Sequence, residues 1–308
     1  MPGARQRSGE GFSIQPMLFT PRFLPPRRFT LHLAAALLLM AGGCAGRPEL
    51  PILEQTGSRT AAQTATRLEA LLPADVLLVG EQHDAPAHHE LEQQIISSLA
   101  TRGLLAAVAL EMAEVGASTA QLKPSSTDEQ ARKALKWDDQ AWPWTAYGPA
   151  VMTAVRAGVP VLGANLPREQ MPASMNDGKL DARLPGPALK AQQQGIRIGH
   201  CNLLPESQIT PMTRIQIAKD ITMADTVHQL LLPGKTVVLL AGNGHVDRRL
   251  GVPQHLRADL TAKSLHLRAG DASGTDRADA FDSVWATAAL PDTDYCAELK
   301  AQMLSPAK

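Results

Sequence analysis

The chain has 308 residues, with 30 basic and 30 acidic side chains, so its formal net charge at pH 7 is zero. This balance offers no excess of positive charge for nucleic acid, and we expect no nucleic-acid partner. The three cysteines form no Cys-x-x-Cys-His motif, which excludes covalent attachment of a c-type haem.

The N-terminal segment has the features of a bacterial export signal. Three arginines precede an apolar stretch at 31–40, which is shorter than a membrane span of about 20 residues. The sequence Ala41-Gly42-Gly43-Cys44 follows and resembles a lipobox, whose cysteine is lipidated. We therefore expect a lipoprotein signal peptide at 1–43, lipidation of Cys44 and a tether at 44–60. Signal cleavage without a lipid is the alternative.

The sequence after the signal fits an exported protein. Removal of the signal takes away five arginines and one acid, which leaves the remaining chain net acidic. Beyond Cys44 only Cys201 and Cys296 remain. In an oxidising compartment they could form a disulfide, and two separate buried thiols are the alternative.

Residues 61–308 are predicted to form a single α/β domain. Apolar runs without polar alternation are typical of strands buried on both faces of a parallel sheet. They lie at 76–79, 106–110, 159–163 and 236–241. Helices are predicted at 61–72, 86–102, 186–197, 213–231 and 253–261, and further strands at 264–268 and 283–288. The expected fold is α/β, with a mostly parallel central sheet flanked by helices and a helical, aromatic-rich insertion.

Polar side chains follow the predicted strands at several carboxyl ends, where open parallel sheets bind ligands. Glu81 and His83 follow the first strand, Glu111 follows the second, and His245 follows the strand at 236–241. We therefore expect these four side chains to share one site. A network of structural hydrogen bonds is the alternative.

Two further segments bear on this predicted site. His88 and His89 lie in the first turn of the helix at 86–102, whose positive dipole end favours an anionic ligand. The predicted insertion holds a group of aromatic residues, either as a packing cluster or as a flat platform for a planar ligand such as a porphyrin. They are Trp137, Trp142, Trp144 and Tyr147. In the helix at 213–231, Asp220 and Asp225 are interpreted as solvated or capping charges.

Polar and glycine-containing motifs occur in a fixed order along the chain. They are Gly80-Glu81-Gln82-His83-Asp84, His88-His89, Glu111-Met112, Trp144-x-x-Tyr147-x-Pro149, Asn165-Leu166-Pro167-Arg168, Met223-Ala224, Gly242-Asn243-Gly244-His245-Val246 and Gly251-Val252-Pro253. In this order they resemble the ChaN family of haem-binding bacterial lipoproteins. The resemblance covers residues 70–256, and the Gly80–Asp84 and Gly242–Val246 motifs are the most specific. The wider superfamily includes the Tiki and TraB proteins and the erythromycin esterases.

The resemblance implies an outer-membrane lipoprotein, facing the periplasm or the cell surface, that binds haem noncovalently for haem and iron uptake. It implies three kinds of partner: a haem receptor or transport system, the membrane through the lipid anchor, and a second copy of the chain in a homodimer that encloses haem.

The family uses a tyrosine as an iron ligand, and phenolate oxygen suits ferric haem. Tyr147 lies inside a matched motif, whereas Tyr295 lies outside the matched region. Histidines are the alternative ligands, and arginines are candidates for pairing with the haem propionates. The histidines are His88 and His200, and the arginines are Arg168 and Arg214.

A hydrolase is the alternative function, because paired Gly-x-x-His motifs contribute to hydrolytic sites in superfamily relatives. Glu81, His83, Glu111 and His245 are then the catalytic residues. A divalent transition metal held by Glu81, His83 and His245 would activate water. In a metal-free version, Glu81 and a histidine would act as general base.

Overall fold

A computed structural model describes residues 53–270 and 279–304 of the chain. Within these residues, six strands form one sheet in which every pair of neighbouring strands is parallel, in the order β3-β2-β4-β1-β5-β6. The strands are β1 (Val76–Glu81), β2 (Leu105–Glu114), β3 (Val161–Asn165), β4 (Thr236–Gly242), β5 (Ala262–Ala269) and β6 (Ser283–Thr287). The parallel α/β fold predicted from the apolar runs is confirmed.

Helices cover the sheet and connect its strands. The α-helices are α1 (Leu53–Glu69), α2 (Pro86–Thr101), α3 (Asp128–Ala134), α4 (Trp144–Arg156), α5 (Met171–Asn176), α6 (Gly186–Gly199), α7 (Glu206–Leu230), α8 (Asn243–Val246) and α9 (Tyr295–Leu304). Short 3-10 helices lie at Arg168–Gln170, Gly178–Arg183 and Val252–His255. Helices α3 and α4 belong to the aromatic-rich segment between β2 and β3.

The sheet is buried on both faces, which explains why its strands lack polar alternation. On β1, Leu77 and Val79 pack with α1, α2 and α4, whereas Val76 and Leu78 pack with α7. Successive strand residues point to opposite faces, so each face requires its own apolar set. Both sets are completely buried on this strand.

Several predicted boundaries differ from the observed ones. Helix α1 begins at Leu53 rather than near residue 61, so helical structure extends into the predicted tether. The helix predicted at 253–261 is only the 3-10 turn Val252–His255, because Pro253 stands at its start and Leu256 already has extended backbone angles. Cys201 and Cys296 form a disulfide that joins α9 to the end of α6.

The predicted signal peptide and the lipidation site Cys44 lie outside the described residues. Among the helices at 53–270 and 279–304, none combines the length and apolar character needed to cross a membrane. The division into residues 1–43, 44–60 and 61–308 stays a prediction.

Candidate functional site

The three central strands bring the predicted polar residues to one edge of the sheet. Strand β4 lies between β2 and β1, and Glu81 is paired in register with Gly242. Glu111 lies where the register of β2 against β3 shifts between Leu110 and Glu114. Such a bulge re-aims side chains. Glu81, His83, Glu111 and His245 consequently form one continuous group, the central cluster.

The two Gly-x-x-His motifs pack against each other through their glycines. A Cβ atom on Gly80 would collide with Val246 and Asn243, which belong to the second motif. A Cβ atom on Gly242 would come within 2.9 Å of His83 Nε2, in the first motif. Each glycine therefore leaves the space that the other motif occupies, which explains why the two glycines occur as a pair.

Glu81 is the centre of the first hydrogen-bond network. Its Oε1 atom accepts a hydrogen bond from Tyr147 Oη at 2.8 Å and lies 2.8 Å from Nδ1 of His83. Its Oε2 atom lies 3.0 Å from Nε2 of His89, although that pair lacks the angles of a good hydrogen bond. Burial raises the pKa of Glu81, but His83 and His89 outweigh this effect and lower it to about 2. Glu81 is therefore an ionised carboxylate.

A second buried carboxyl group, Glu92 on α2, lies close to Glu81. Burial raises the pKa of Glu92 well above its usual value, and the Glu81 charge raises it further. Two neighbouring carboxyl groups in a dry site do not both ionise readily. Glu92 is therefore the protonated member of the pair, and Glu81 is the charged one.

Glu111 and His245 form the second network, on the other side of the sheet edge. Nε2 of His245 lies 3.2 Å from Oε1 of Glu111, and its Nδ1 lies 2.5 Å from Oδ1 of Asp220 on α7. Oε2 of Glu111 accepts the Gly242 backbone N–H at 2.9 Å. Gln216 reaches the same ring, with Nε2 3.1 Å from Nδ1 of His245.

The charges of this network hold the buried histidine in its protonated form. Burial lowers the pKa of His245, but Glu111 and Asp220 together raise it to about 10. Burial likewise raises the pKa of Glu111, and His245, Lys219 and His83 bring it well below its usual value. At neutral pH the imidazolium of His245 is thus held between ionised carboxylates.

His83 connects the two networks and is the member with access to solvent. Its side chain is 39% exposed, and its Nε2 atom lies 4.0 Å from Oε2 of Glu111. Burial lowers the pKa of His83, but the hydrogen bond to Glu81 and the charge of Glu111 raise it overall. This imidazole is the acid–base group of the cluster that a ligand can contact.

The interpretation of Asp220 as a solvated or capping charge is wrong. Its side chain is 1% exposed, whereas that of Asp225 is 67% exposed. A sequence signal was present, because Asp220 stands three residues after Ile217 and four before Ala224, on the buried stripe of α7. Glu92 carries the same signal on α2, three residues before Ile95.

The aromatic residues of the 137–147 segment pack mainly on one another. Trp137 and Trp144 meet edge to face with ring centroids 5.0 Å apart, and Trp142 meets Tyr147 at 5.9 Å. Trp142 also contacts His83 at 4.8 Å. Edge-to-face contacts are typical of a packed aromatic cluster, so these rings form a wall beside His83 rather than an open platform.

Two of the residues predicted to bind a cofactor are engaged inside the protein. Tyr147 is 1% exposed, and burial together with the charge of Glu81 raises its phenol pKa. His88 is fully buried, where its Nδ1 accepts the Gln82 backbone N–H at 2.9 Å and its Nε2 lies 3.1 Å from the hydroxyl of Thr287. Burial lowers the pKa of His88 to about 4.

The other three lie outside the central cluster. The guanidinium of Arg214 makes two hydrogen bonds to Asp181, at 2.8 and 2.7 Å. Arg168 is 54% exposed and lies 4.0 Å from Asp138. His200 follows the end of α6 and lines a cavity of about 500 Å³.

The predicted metal ligands Glu81, His83 and His245 are near one another but are occupied by other partners. His245 is held between Glu111 and Asp220, and His83 is bonded to Glu81. Over residues 53–270 and 279–304, no group of three or more His, Cys, Asp or Glu side chains is arranged to hold a metal ion. The metal site stays a prediction, and the acid–base network is what the geometry supplies.

Comparisons with known proteins agree with this architecture. Residues 67–256 match the family model described as "Haem-binding uptake, Tiki superfamily, ChaN". The chain is also similar to the solved structure "Cofacial heme binding to ChaN of Campylobacter jejuni". The two are 26% identical with a TM-score of 0.58, over 71% of this chain and 89% of that one.

Two other solved structures share less with the chain. The type III effector HopBA1 is 14% identical with a TM-score of 0.40, over 70% of this chain and 88% of that one. RRSP, a MARTX toxin effector domain from Vibrio vulnificus CMCP6, is 14% identical with a TM-score of 0.41, over 69% of this chain and 38% of that one. No curated protein matches the sequence.

Proposed function

Since the chain belongs to the haem-binding uptake family ChaN of the Tiki superfamily, we propose that it binds haem noncovalently. The observation that carries the proposal is the family match over residues 67–256, which includes both Gly-x-x-His motifs and the whole central cluster. The similarity to the haem-binding ChaN of Campylobacter jejuni supports it. The sequence has no Cys-x-x-Cys-His motif, which excludes c-type attachment and supports a noncovalent mode of binding.

The tyrosine inside the matched motif does not fit the role of iron ligand. Haem supplies an iron that takes an axial nitrogen, sulfur or oxygen donor from the protein. The Tyr147 phenol is buried and donates its proton to Glu81. Its raised pKa opposes formation of the phenolate. A histidine whose second ring nitrogen meets a carbonyl fits better, and His200 has that arrangement.

Haem titration of the purified chain tests this proposal. We expect saturable binding of ferric haem, with a shifted Soret band and a ligand-field spectrum that identifies the class of axial ligand. Absorbance that rises linearly with added haem, as for haem free in buffer, would contradict the proposed function. A parallel titration with metal-free protoporphyrin shows how much affinity comes from the iron.

We also propose that the chain is an exported lipoprotein of the outer membrane that serves haem and iron uptake. The lipobox-like sequence ending at Cys44 supports lipid attachment, and the Cys201–Cys296 disulfide fits an oxidising compartment. Replacement of Cys44 by alanine should release the protein from the membrane fraction and abolish its labelling by a fatty acid. Unchanged labelling in that variant would contradict lipid attachment at this residue.

A haem receptor or transport system and a homodimer are the proposed protein partners. Light scattering with and without one equivalent of haem tests whether the chain forms the homodimer. We expect a doubled mass when haem is bound, and a monomer in both conditions would contradict a haem-enclosing dimer.

A Glu/His hydrolase is the second candidate function, because the cluster contains an oriented and accessible base. The Glu81 carboxylate holds Nδ1 of His83, whose side chain is partly exposed and whose Nε2 lies 4.0 Å from Glu111 Oε2. A positioned imidazole of this kind can take a proton from water or from a substrate hydroxyl group. His245 and Glu111 would then set the charge of the site.

Hydrolysis of p-nitrophenyl acetate and of labelled casein tests this second candidate. His83→Gln should abolish turnover of whichever probe is cleaved, whereas His228→Gln, in the last turn of α7, should leave it unchanged. Equal rates for both variants would contradict a role for His83. Equal rates with and without a chelator would show that the reaction needs no added metal.

A further inference from the structure

A cavity of about 500 Å³ lies beside α6, next to the central cluster. Its walls come from α6, from Gln216 on α7, and from the segment that follows β4 and contains Leu250. Phe281 and Ile196 provide apolar surface. This volume falls in the range of about 300–1,000 Å³ that is typical of small-molecule and cofactor pockets.

Two glycines make the α6 side of this cavity flat. Gly195 and Gly199 are four residues apart and therefore share a face of the helix, and both line the cavity. A Cβ atom at either position would have no neighbour within 4 Å. Neither glycine is therefore required by close packing against a neighbour. A glycine inside a helix also lowers helix stability by about 1 kcal/mol relative to alanine. The result is a smooth surface that suits a planar ligand.

An unpartnered amide opens onto the same surface. Gln192 precedes the two glycines on α6, lines the cavity and is only 7% exposed. Within the described part of the chain, its side-chain amide makes no hydrogen bond. Because the residue is nearly buried and lines the cavity, its amide is free to form hydrogen bonds with a ligand held there.

His200 lines this cavity, and one of its two ring nitrogens is engaged by the helix backbone. Nδ1 of its ring lies 2.8 Å from the Ile196 carbonyl oxygen, and the residue lines the cavity. A carbonyl oxygen can only accept, so Nδ1 carries a proton, and Nε2 is the nitrogen that can offer a lone pair to a metal. Histidines that ligate metals almost always donate their other N–H in this way.

The disulfide fixes the backbone immediately after this histidine. Cys201 is bonded to Cys296 of α9, and Cys201 and Asn202 both have left-handed φ angles, +56° and +57°. Residues other than glycine rarely take such angles. The cross-link therefore holds a turn that is otherwise unfavourable, and with it the position of His200 at the end of α6.

We propose that this cavity is the haem site of the chain, with Nε2 of His200 as an axial ligand of the iron and the Gly195–Gly199 face of α6 against the porphyrin ring. The inference rests on the proposed haem-binding function and deepens it. Gln192 provides a hydrogen-bonding group at the porphyrin edge. The iron ligand is then a histidine on α6, and neither tyrosine of the chain is needed.

Replacement of His200 by glycine tests the ligand assignment directly. Glycine is tolerated at the end of a helix, and it leaves a gap that free imidazole can fill. We expect His200→Gly to weaken haem affinity by at least about 10- to 100-fold. That range is the usual effect of removing only the hydrogen-bond partner of a metal ligand, and loss of the ligand itself should cost no less. We also expect the ligand-field spectrum to change, and added imidazole to restore it.

Tyr295→Phe is the matched control, because Tyr295 stands beside Cys296 on the other side of the same disulfide. Its hydroxyl group donates to Asp84, and its side chain is 39% exposed. We expect its affinity and spectrum to equal those of the unchanged protein. A lost spectrum in Tyr295→Phe, with a normal one in His200→Gly, would overturn the assignment and make tyrosine the ligand.

A second variant tests the cavity without touching the ligand. Gly195→Phe places a ring in the open space beside α6, so we expect the chain to fold with its disulfide intact and to lose haem binding by more than tenfold. Normal binding in this variant would overturn the cavity assignment. If the unchanged protein binds no haem, the proposed haem-binding function itself fails. If the unchanged protein, His200→Gly and Gly195→Phe all bind haem normally, the function stands and only the assignment of haem to the α6 cavity is overturned.

Discussion

Asp220 Oδ1 lies 2.5 Å from His245 Nδ1, and both side chains are almost completely buried. The opposite ring nitrogen of His245 faces Glu111 at 3.2 Å, so the imidazole is fixed at both ends. An ion pair of this kind recovers the cost of its burial only while both partners are present. Loss of one partner leaves the other as an uncompensated buried charge.

Asp220→Asn should therefore destabilise the fold by about 3–5 kcal/mol, the range for breaking a buried ion pair. Asp225→Asn is the matched control, because it makes the same change on the same helix at an exposed position. The control should change the free energy of unfolding by less than about 0.5 kcal/mol. Urea denaturation of both variants measures the difference, and equal midpoints would contradict a buried pair.

The raised pKa of His245 predicts a loss of stability in alkaline solution. Its folded-state pKa of about 10 exceeds its ordinary value of 6.5, so its contribution is complete below pH 6.5 and is lost as the pH rises toward 10. Between pH 6.5 and 9.5 the free energy of unfolding should fall by about 1–4 kcal/mol.

Replacement of this histidine should reduce that slope. We expect His245→Gln to be less stable than the unchanged protein at pH 6.5 and to show a shallower fall up to pH 9.5, because the raised pKa values of Glu92 and His83 still contribute to the slope. His255→Gln is the control, because the pKa of His255 is lowered to about 4 by burial and so does not change its charge in this window. Parallel pH profiles for His245→Gln and the unchanged protein would contradict the assignment.

The sheet and most of the cluster could be predicted from the sequence because they follow from strong rules. Continuous apolar runs identify strands buried on both faces, and the carboxyl ends of parallel strands share one edge. Those two rules were enough to bring together Glu81, His83, Glu111 and His245. The rules concern neighbouring strands and do not specify which helix covers the edge.

The helical stripes of α7 and α2 indicate that Asp220 and Glu92 are buried, but the presence of Asp220, Glu92 and Lys219 in this site could not be predicted for that reason. They reach the site from α7 and α2, and the position of a helix on its sheet depends on side-chain packing that the sequence pattern does not specify. The burial of Tyr147 was missed similarly, since a phenol beside a carboxylate is recognisable only once α4 is placed next to β1. The α6 cavity is lined by five segments of the chain and has no local sequence signal.

Tyr147→Phe should affect stability but not haem. The phenol donates to the ionised Glu81 at 2.8 Å, and a hydrogen bond to a charged group contributes about 1.5–3 kcal/mol. We expect a loss of that size in urea denaturation, with an unchanged Soret band in the haem-bound protein. A lost Soret shift with unchanged stability would show instead that Tyr147 leaves its buried position to bind iron.

The glycines around the second motif should differ sharply in their tolerance of a methyl group. A Cβ atom on Gly251 would collide with the backbone carbonyl of His245, whereas one on Gly244 would meet nothing within 4 Å. Gly251→Ala should therefore cost about 1–3 kcal/mol, the usual cost of overpacking, and displace His245. Gly244→Ala should be neutral or stabilise by up to about 1 kcal/mol. Equal melting temperatures would show that the motif has more room than the structure indicates.

Reduction of the disulfide should weaken both the fold and the α6 cavity. The cross-link joins residues 95 positions apart, and closing a loop of about 100 residues stabilises a fold by up to about 4.7 kcal/mol in the chain-entropy model, typically 2–4. The double variant Cys201→Ser and Cys296→Ser should lose stability in this range and bind haem more weakly, because the left-handed turn after His200 then loses its support. A reductant should reproduce both effects in the unchanged protein and neither in the double variant. Weaker stability with normal haem affinity would show that His200 is held by α6 alone, through its hydrogen bond to Ile196.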